Sequence, residues 1–344
     1  MGIQQAIRKV SHQENLSQAE AQAAMEAIMT GEATPAQIGG YLMGLRLKGE
    51  TVDEITGSAK AMRSVANAAP IKATRAIDTC GTGGDATNTF NISTTVAFVA
   101  AGAGIPVAKH GNRAVSSKSG SADVLAALGV NLNITPQQAA QCVDEVGVGF
   151  LFAPAFHPAM RHAIGPRREL AVRTIFNILG PLTNPAGVDR QVLGVFAPDL
   201  TETLAHVLHT LGSTAVFVVH GAGGLDEFST LGTSHVSELR DGAVTTFEID
   251  PTGYGLQLAT LKDIQGGDAD TNAHITREIL AGRGTPAQRE IVMLNAAAAM
   301  IVGGICGTLE DGLQQAAQVL DSAKGLERLE ALVEYSQQFQ TESA

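Results

Sequence analysis

Tryptophan is absent from this chain, aromatic residues make up 4% of it, and cysteine occurs only three times in 344 residues. So few aromatics argue against a ring-lined binding surface. They suit an α/β enzyme packed with small residues, and Gly reaches 38. Cys80, Cys142 and Cys306 are too few and too scattered for a disulfide framework or a zinc site, and reduced thiols point to the cytosol. Long apolar runs are also missing. The most apolar stretch, 296–305, falls far short of a membrane span and contains Gly303-Gly304, so it reads as a buried helix. The start (Gln4, Gln5, Arg8, Lys9) is polar and does not resemble a signal peptide. Basic charge is in deficit: the net charge is −11 and the pI near 5.3, which disfavours nucleic acid as a partner.

One further absence is local. No Asp or Glu occurs from 86 to 122, a run carrying Lys109, His110, Arg113 and Lys118. None occurs from 146 to 168 either, where His157, Arg161, His162, Arg167 and Arg168 cluster. Two acid-free basic runs in an acidic protein are what an anionic substrate requires. The first run follows Asp78-Thr-Cys-Gly-Thr-Gly-Gly-Asp85 and contains Asn91-Ile-Ser-Thr94. A short apolar lead-in, glycines at 81, 83 and 84, and a row of hydroxyl and amide side chains opening a helix together describe a phosphate-binding turn. Gly-rich turns also serve as plain β–α connections; the acid-free surroundings favour the anion site.

Residues 1–66 read as helices only. Ser17-Gln-Ala-Glu20 and Thr51-Val-Asp-Glu54 are capping boxes, and Thr34-Pro35 is an N-cap followed by proline at the first helical position. The stretch 70–76 forms a plausible boundary. From Ile77 onward strands (76–79, 105–108, 148–152, 191–196, 214–219) alternate with helices (93–103, 122–128, 136–146, 201–211, 289–305). This implies a mostly parallel central sheet flanked by helices. The pattern predicts a hairpin over 236–239 and 243–249, a turn-rich segment over 282–288, and a frayed polar tail from 337 to 344. The expected division is a small N-terminal helical domain, 1–72, joined by helices from about 160–190, and a larger α/β domain, 73–344.

Lys109-His-Gly-Asn-Arg113 and Ser116-Ser-Lys-Ser-Gly-Ser121 follow a strand, at the carboxyl end where open α/β sheets bind ligands. Asp226-Glu227 follows a strand and a glycine turn, and adjacent carboxylates there suit a hard cation such as Mg²⁺. Arg167 offers a fork for a carboxylate, and His157 is a contact residue or a structural histidine.

With Gly-Ser-Ala-Asp-Val-Leu-Ala-Ala-Leu-Gly129 and Arg-Thr-Ile-Phe-Asn-Ile-Leu-Gly-Pro-Leu-Thr-Asn-Pro185, these motifs stand in order across essentially the whole chain. In this the sequence resembles the anthranilate phosphoribosyltransferase family. The glycine loop alone is shared with the related pyrimidine nucleoside phosphorylases; Asn112 and the 167–185 block are more specific. The resemblance implies transfer of a phosphoribosyl group from phosphoribosyl pyrophosphate (PRPP) to anthranilate, in tryptophan biosynthesis. It also implies a cleft between a helical and an α/β domain, and a cytoplasmic homodimer formed through the helical domain, with no nucleic-acid or membrane partner. It places PRPP on Gly81, Gly84, Asp85, Thr89, Asn91, Ile92, Ser93, Thr94, Lys109, His110, Gly111, Asn112, Arg113, Ala114, Val115, Ser116, Ser117 and Ser121. Anthranilate falls near Gly81, Asn112 and Arg167, and Mg²⁺ on Ser93, Asp226 and Glu227. Two departures stand out: Ala126 where the family often has Glu, and Ala171 where it often has Gly. The alternatives are a nucleoside phosphorylase, opposed by the paired acids, and a non-catalytic nucleic-acid-binding paralogue, opposed by the net charge.

Overall fold

The computed structural model describes residues 2–84, 87–114 and 118–339. The chain opens with α1 (Ile3–Ser11), α2 (Gln18–Met29), α3 (Pro35–Lys48) and α4 (Val52–Ser64). All three sequence-predicted N-caps form: Ser17, Thr34 and Thr51 each accept from the N3 backbone, and Glu20, Gln37 and Glu54 reply to the cap N–H. Helix α2 packs along α4 and α1 along α3.

The α/β part runs β1 (Ile77–Gly81), α5 (Ile92–Gly102), β2 (Val107–Gly111), α6 (Ser121–Ala127), α7 (Pro136–Val146) and β3 (Val148–Phe152). Helices α8 (Ala153–Phe156), α9 (Arg161–Leu170) and α10 (Phe176–Leu179) follow, with α9 returning to pack on α2 and α3. Then come β4 (Arg190–Gly194), α11 (Leu200–Thr210), β5 (Ala215–His220) and the hairpin β6 (Ser234–Arg240) and β7 (Ala243–Ile249). The chain closes with α12 (Ala269–Leu280), α13 (Pro286–Val302), α14 (Leu309–Asp321) and α15 (Lys324–Gln338).

The seven strands lie in the order β3-β2-β1-β4-β5-β6-β7. Strands β1 to β5 are parallel, and β6 and β7 are antiparallel. The two-residue period of a strand sorts side chains between faces. In β5, Phe217 and Val219 join the core under α5 and α13, while Val216 and Val218 join the core shared with α11 and the N-terminal helices. No helix among the described residues is long and apolar enough to cross a membrane.

Strands 148–152 and 243–249 and helix 136–146 fall where the pattern puts them, and the ends of the other strands shift by one to three residues. Two expectations need correction. The long helix starts at Pro286, not near 289, because Thr285 caps it and Pro286 supplies its first turn; it ends at Val302, ahead of the Gly303-Gly304 turn. Helix α15 continues through 337–338, and the predicted tail beyond 339 lies outside the described residues.

Candidate active site

Strands β2 and β3 lie on one side of β1, and β4 and β5 on the other. The chain reverses direction across the sheet there, so the carboxyl ends of β1 and β4 border a crevice. Gly81 and Gly194, the last residues of these strands, pair in register. A Cβ on Gly81 would run into the Asp226 carboxylate, and one on Gly194 into the Asp226 backbone carbonyl. The two glycines thus form a cradle for the acidic segment that follows β5. Leu225 and Phe228, both fully buried, anchor it on either side. Asn295 of α13 clamps its far end: its Oδ1 accepts from Phe228 N at 2.9 Å and its Nδ2 donates to Phe228 O at 2.8 Å.

Both carboxylates face donors of the glycine loop and of α5. Gly83 N donates to Asp226 Oδ2 at 2.8 Å, and Ser93 N donates to Glu227 Oε1 at 3.0 Å. Gly83 and Gly84 take φ of 65° and 76°, a pair of left-handed residues that only glycine adopts without strain. Glu227 occupies part of the positive N-terminal field of α5 that the sequence offers to a ligand. Two half-buried carboxylates, one of them bonded to the Ser93 N–H, offer hard oxygen donors at the crevice. Among the described residues no group of three His, Cys, Asp or Glu side chains converges on a metal position. The pair therefore fits Mg²⁺ shared with substrate oxygens, not an all-protein cage.

The floor beneath is polar and buried. Lys109, 3% exposed, donates to the Thr79 carbonyl and, at 3.3 Å, to Ser93 Oγ. The sequence pictures it as a loop cation; the structure sets it under the crevice beside the proposed metal ligand Ser93. Fully buried Asp78 accepts from His110 N at 3.1 Å and from Asn184 Nδ2 at 2.8 Å. Burial holds its carboxyl above the usual range, against the opposing pull of Lys109. His110 and His157 meet Nε2 to Nε2 at 3.2 Å. Burial pushes His110 down to about 3, helped by its neighbour imidazole, and His157 down to about 4, so both are neutral near pH 7. His157 is thereby a buried structural partner of His110.

Asn91 turns its side chain away from capping α5; its Nδ2 donates to Ser119 O at 3.2 Å and its Oδ1 accepts from Asn272 of α12 at 2.9 Å. Thr89 bridges to Gln265, Ile92 is buried, and Thr94 keeps a buried hydroxyl without a partner. Beside Gly111, the carbonyl of exposed Asn112 accepts from Ser121 Oγ at 3.2 Å. Arg113 pairs with Asp123 at 2.9 Å, and Ala114 N donates to the same carboxylate at 2.9 Å. Asp85, Val115, Ser116 and Ser117 lie outside the described residues. Arg167, half-buried in the last turn of α9, holds its guanidinium carbon 5.0 Å from the Phe176 ring centre, and burial lowers its pKa. No hydrogen bond links it to Asn112 among the described residues. Ala171 caps α9 at φ 52°, which gives a physical reason for glycine to be common there.

No role is assigned from the sequence to Asn272 or Asn295, nor to Arg173 and Asn184 within the 173–185 motif. Asn295 alone carries a signal, since a lone amide in the apolar 291–302 run must find buried partners.

Residues 4–66 match the helical bundle domain of a glycosyl transferase family, and residues 73–326 match that family's a/b domain. The anthranilate phosphoribosyltransferase of Acetivibrio thermocellus is 53% identical over 98% of this chain and 97% of its own. That of Alkaliphilus metalliredigens is 53% identical over 98% and 99%. The crystal structure of the Thermus thermophilus enzyme superposes with a TM-score of 0.92 at 42% identity, covering 96% of this chain and 99% of that one. The Saccharomyces cerevisiae enzyme in complex with PRPP and Mg gives 0.90 at 26% identity over 98% of each chain. With half of its residues shared end to end and its whole fold superposable, the chain belongs to the anthranilate phosphoribosyltransferase family.

Proposed function

We propose that this protein transfers the phosphoribosyl group of PRPP to the amine of anthranilate, giving N-(5-phosphoribosyl)anthranilate and pyrophosphate, in tryptophan biosynthesis. The observation that carries the reading is the acidic pair seated at the sheet's reversal point, each carboxylate held by a backbone N–H of the glycine loop or of α5. Such a pair would anchor a cation against a pyrophosphate, whose other oxygens would meet N–H groups that the carboxylates do not occupy.

In the reaction the amine nitrogen bonds to the anomeric carbon as the bond to pyrophosphate oxygen breaks; the nitrogen then sheds a proton. The ribosyl carbon passes through an oxocarbenium-like state. Ser93, Asp226 and Glu227 would hold Mg²⁺, which when bound neutralises charge on the departing pyrophosphate. Lys109, under Ser93, adds fixed positive charge below that group. Residues of the 81–94 and 109–121 segments, Gly84 and Asn91 among them, would grip the phosphosugar. Arg167 and Asn112 would hold anthranilate with its amine in line, and positioning supplies much of the acceleration because an aromatic amine needs no strong base.

The α9 packing on α2 and α3 supports a helical unit of 1–72 with 160–190 beside an α/β unit of 73–344. Leu47 (72% exposed), Ile164 and Val172 expose apolar surface on that helical unit, which supports a homodimer through it. Sedimentation at twice 35.5 kDa is expected, and a strict monomer overturns the dimer. The free thiols of Cys80, Cys142 and Cys306 support a cytosolic location.

The test is loss of anthranilate fluorescence on mixing enzyme, PRPP and Mg²⁺, with a chelator arm and with the pair Asp226→Asn, Glu227→Gln. Consumption that stops in both arms is expected. Consumption indifferent to chelation and to the double substitution removes the metal assignment. No consumption, with phosphorolysis of nucleosides instead, overturns the function.

A further inference from the structure

Arg173 lies on the connection between α9 and α10, outside every contact assigned above, and three restraints meet on it, with a fourth on its neighbour. Its guanidinium donates to the Gly84 carbonyl. Its guanidinium carbon lies 4.2 Å from the centre of the Phe196 ring, which follows β4. Its own carbonyl accepts from Arg46 of α3 at 2.6 Å. The next residue, Thr174, donates its N–H to Asn177 Oδ1 at 3.0 Å, which fixes the start of α10. An exposed arginine is ordinarily free to move; this one is stacked, bonded and braced at its backbone.

The group it holds is the second of two left-handed glycines. Glycine loses more conformational freedom on ordering than any other residue, so a Gly83-Gly84 pair needs restraint to keep one shape. Asp226 supplies it at Gly83 N, and Arg173 at Gly84 O. Engaging that carbonyl with a cation also occupies the kind of group that repels a phosphate. The loop is therefore held at two successive glycines by two different segments, and one hold reaches through Arg46 to the N-terminal helices.

We propose that Arg173 is a positioning residue for PRPP: it preorganises the glycine loop and couples that loop to helix α3. This rests on the reading above that the loop holds the phosphosugar. A binding loop already in shape costs less to order when its ligand arrives, so the effect falls on PRPP. Anthranilate is affected less, because of its expected contacts only Gly81 borders this loop, on the ordered end of β1, while Arg167 sits on α9.

Arg173→Ala should raise the KM for PRPP by about three- to tenfold, the range of one exposed charge-assisted bond, and the KM for anthranilate by less than about twofold. Arg173→Lys, keeping a donor but losing the stack, should fall between wild type and alanine. Arg46→Ala should move the PRPP KM in the same direction by about twofold, and it keeps the idea testable if Arg173→Ala folds poorly. Hydrogen exchange of the 81–84 peptide in the ligand-free protein should accelerate in Arg173→Ala. That readout needs no turnover, so it still decides the clamp if the enzyme proves not to use PRPP. An unchanged PRPP KM, an equal rise for both substrates, or unchanged exchange in that peptide overturns the proposal.

Discussion

A guanidinium fork and a carboxylate are matched planar shapes, which makes Arg167 the sharpest single-residue test of the acceptor site. The Phe176 ring beneath its guanidinium holds the fork in one orientation before any ligand arrives. Arg167→Ala should weaken apparent anthranilate affinity by about ten- to a hundredfold, the usual loss for a charge-assisted pair, while the PRPP KM hardly moves. Arg167→Lys should recover little, since an ammonium cannot reproduce the fork. Steady-state kinetics with each substrate varied in turn decide it; normal anthranilate saturation in the alanine variant removes Arg167 from the site. The Asp226-Glu227 pair, which the structure sets against the glycine loop and the start of α5, has a local signal, since adjacent acids follow a strand and a glycine turn. The burial of Lys109 was not, because it depends on β1 and α5 closing over β2.

Glu54 shows how one side chain can organise several helices at once. It closes the capping box of α4 by accepting from Thr51 N at 2.8 Å, accepts from Leu16 N at 2.9 Å in the approach to α2, and pairs with Lys48 at the end of α3 at 2.9 Å. The Glu54 side chain is fully buried and that of Lys48 only 4% exposed. Glu54→Gln removes one partner of a buried pair and should cost about 3 kcal/mol, whereas Thr51→Ala, which only weakens the cap, should cost about 1 kcal/mol. Denaturant midpoints measure both; near-equal losses would mean that the ion pair adds nothing beyond the cap. The Ser17 and Thr51 boxes and the Thr34 cap are readable because caps are coded within four residues. The start of α13 was missed because the glycines near 282 masked an equally local Thr285-Pro286 signal. The Asp78–Asn184 and Arg46–Arg173 contacts join residues more than a hundred positions apart, and no local pattern encodes them.

Acid should destabilise the fold as a whole. Unfolded, His110 and His157 each take up a proton near pH 6.5; folded, they stay neutral down to about 3 and about 4. Below pH 6.5 the unfolded chain gains protons that the native state refuses, so stability present above that pH is lost as pH falls, by up to about 1.4 kcal/mol per unit for each histidine. Asp78 acts the other way: its raised pKa lets the folded state keep a proton longer, and its contribution fades as pH rises. Two imidazoles outweigh one carboxyl between pH 6.5 and about 4. Denaturation midpoints should therefore drop steadily from pH 7 to 5, and His157→Phe should flatten the slope; an unchanged slope in that variant would show that the pair is not its source. The strand order also sets when the crevice can exist. During synthesis Ile77 must wait for Arg190 before β1 has its second neighbour, then for Asp226 to enter the glycine cradle, and then for Asn295 to fasten it. Contacts so distant in sequence form slowly. A nascent or truncated chain ending before α13 carries the glycine loop but not its acidic wall fixed in place by Asn295, so a chain cut short there should not spend PRPP.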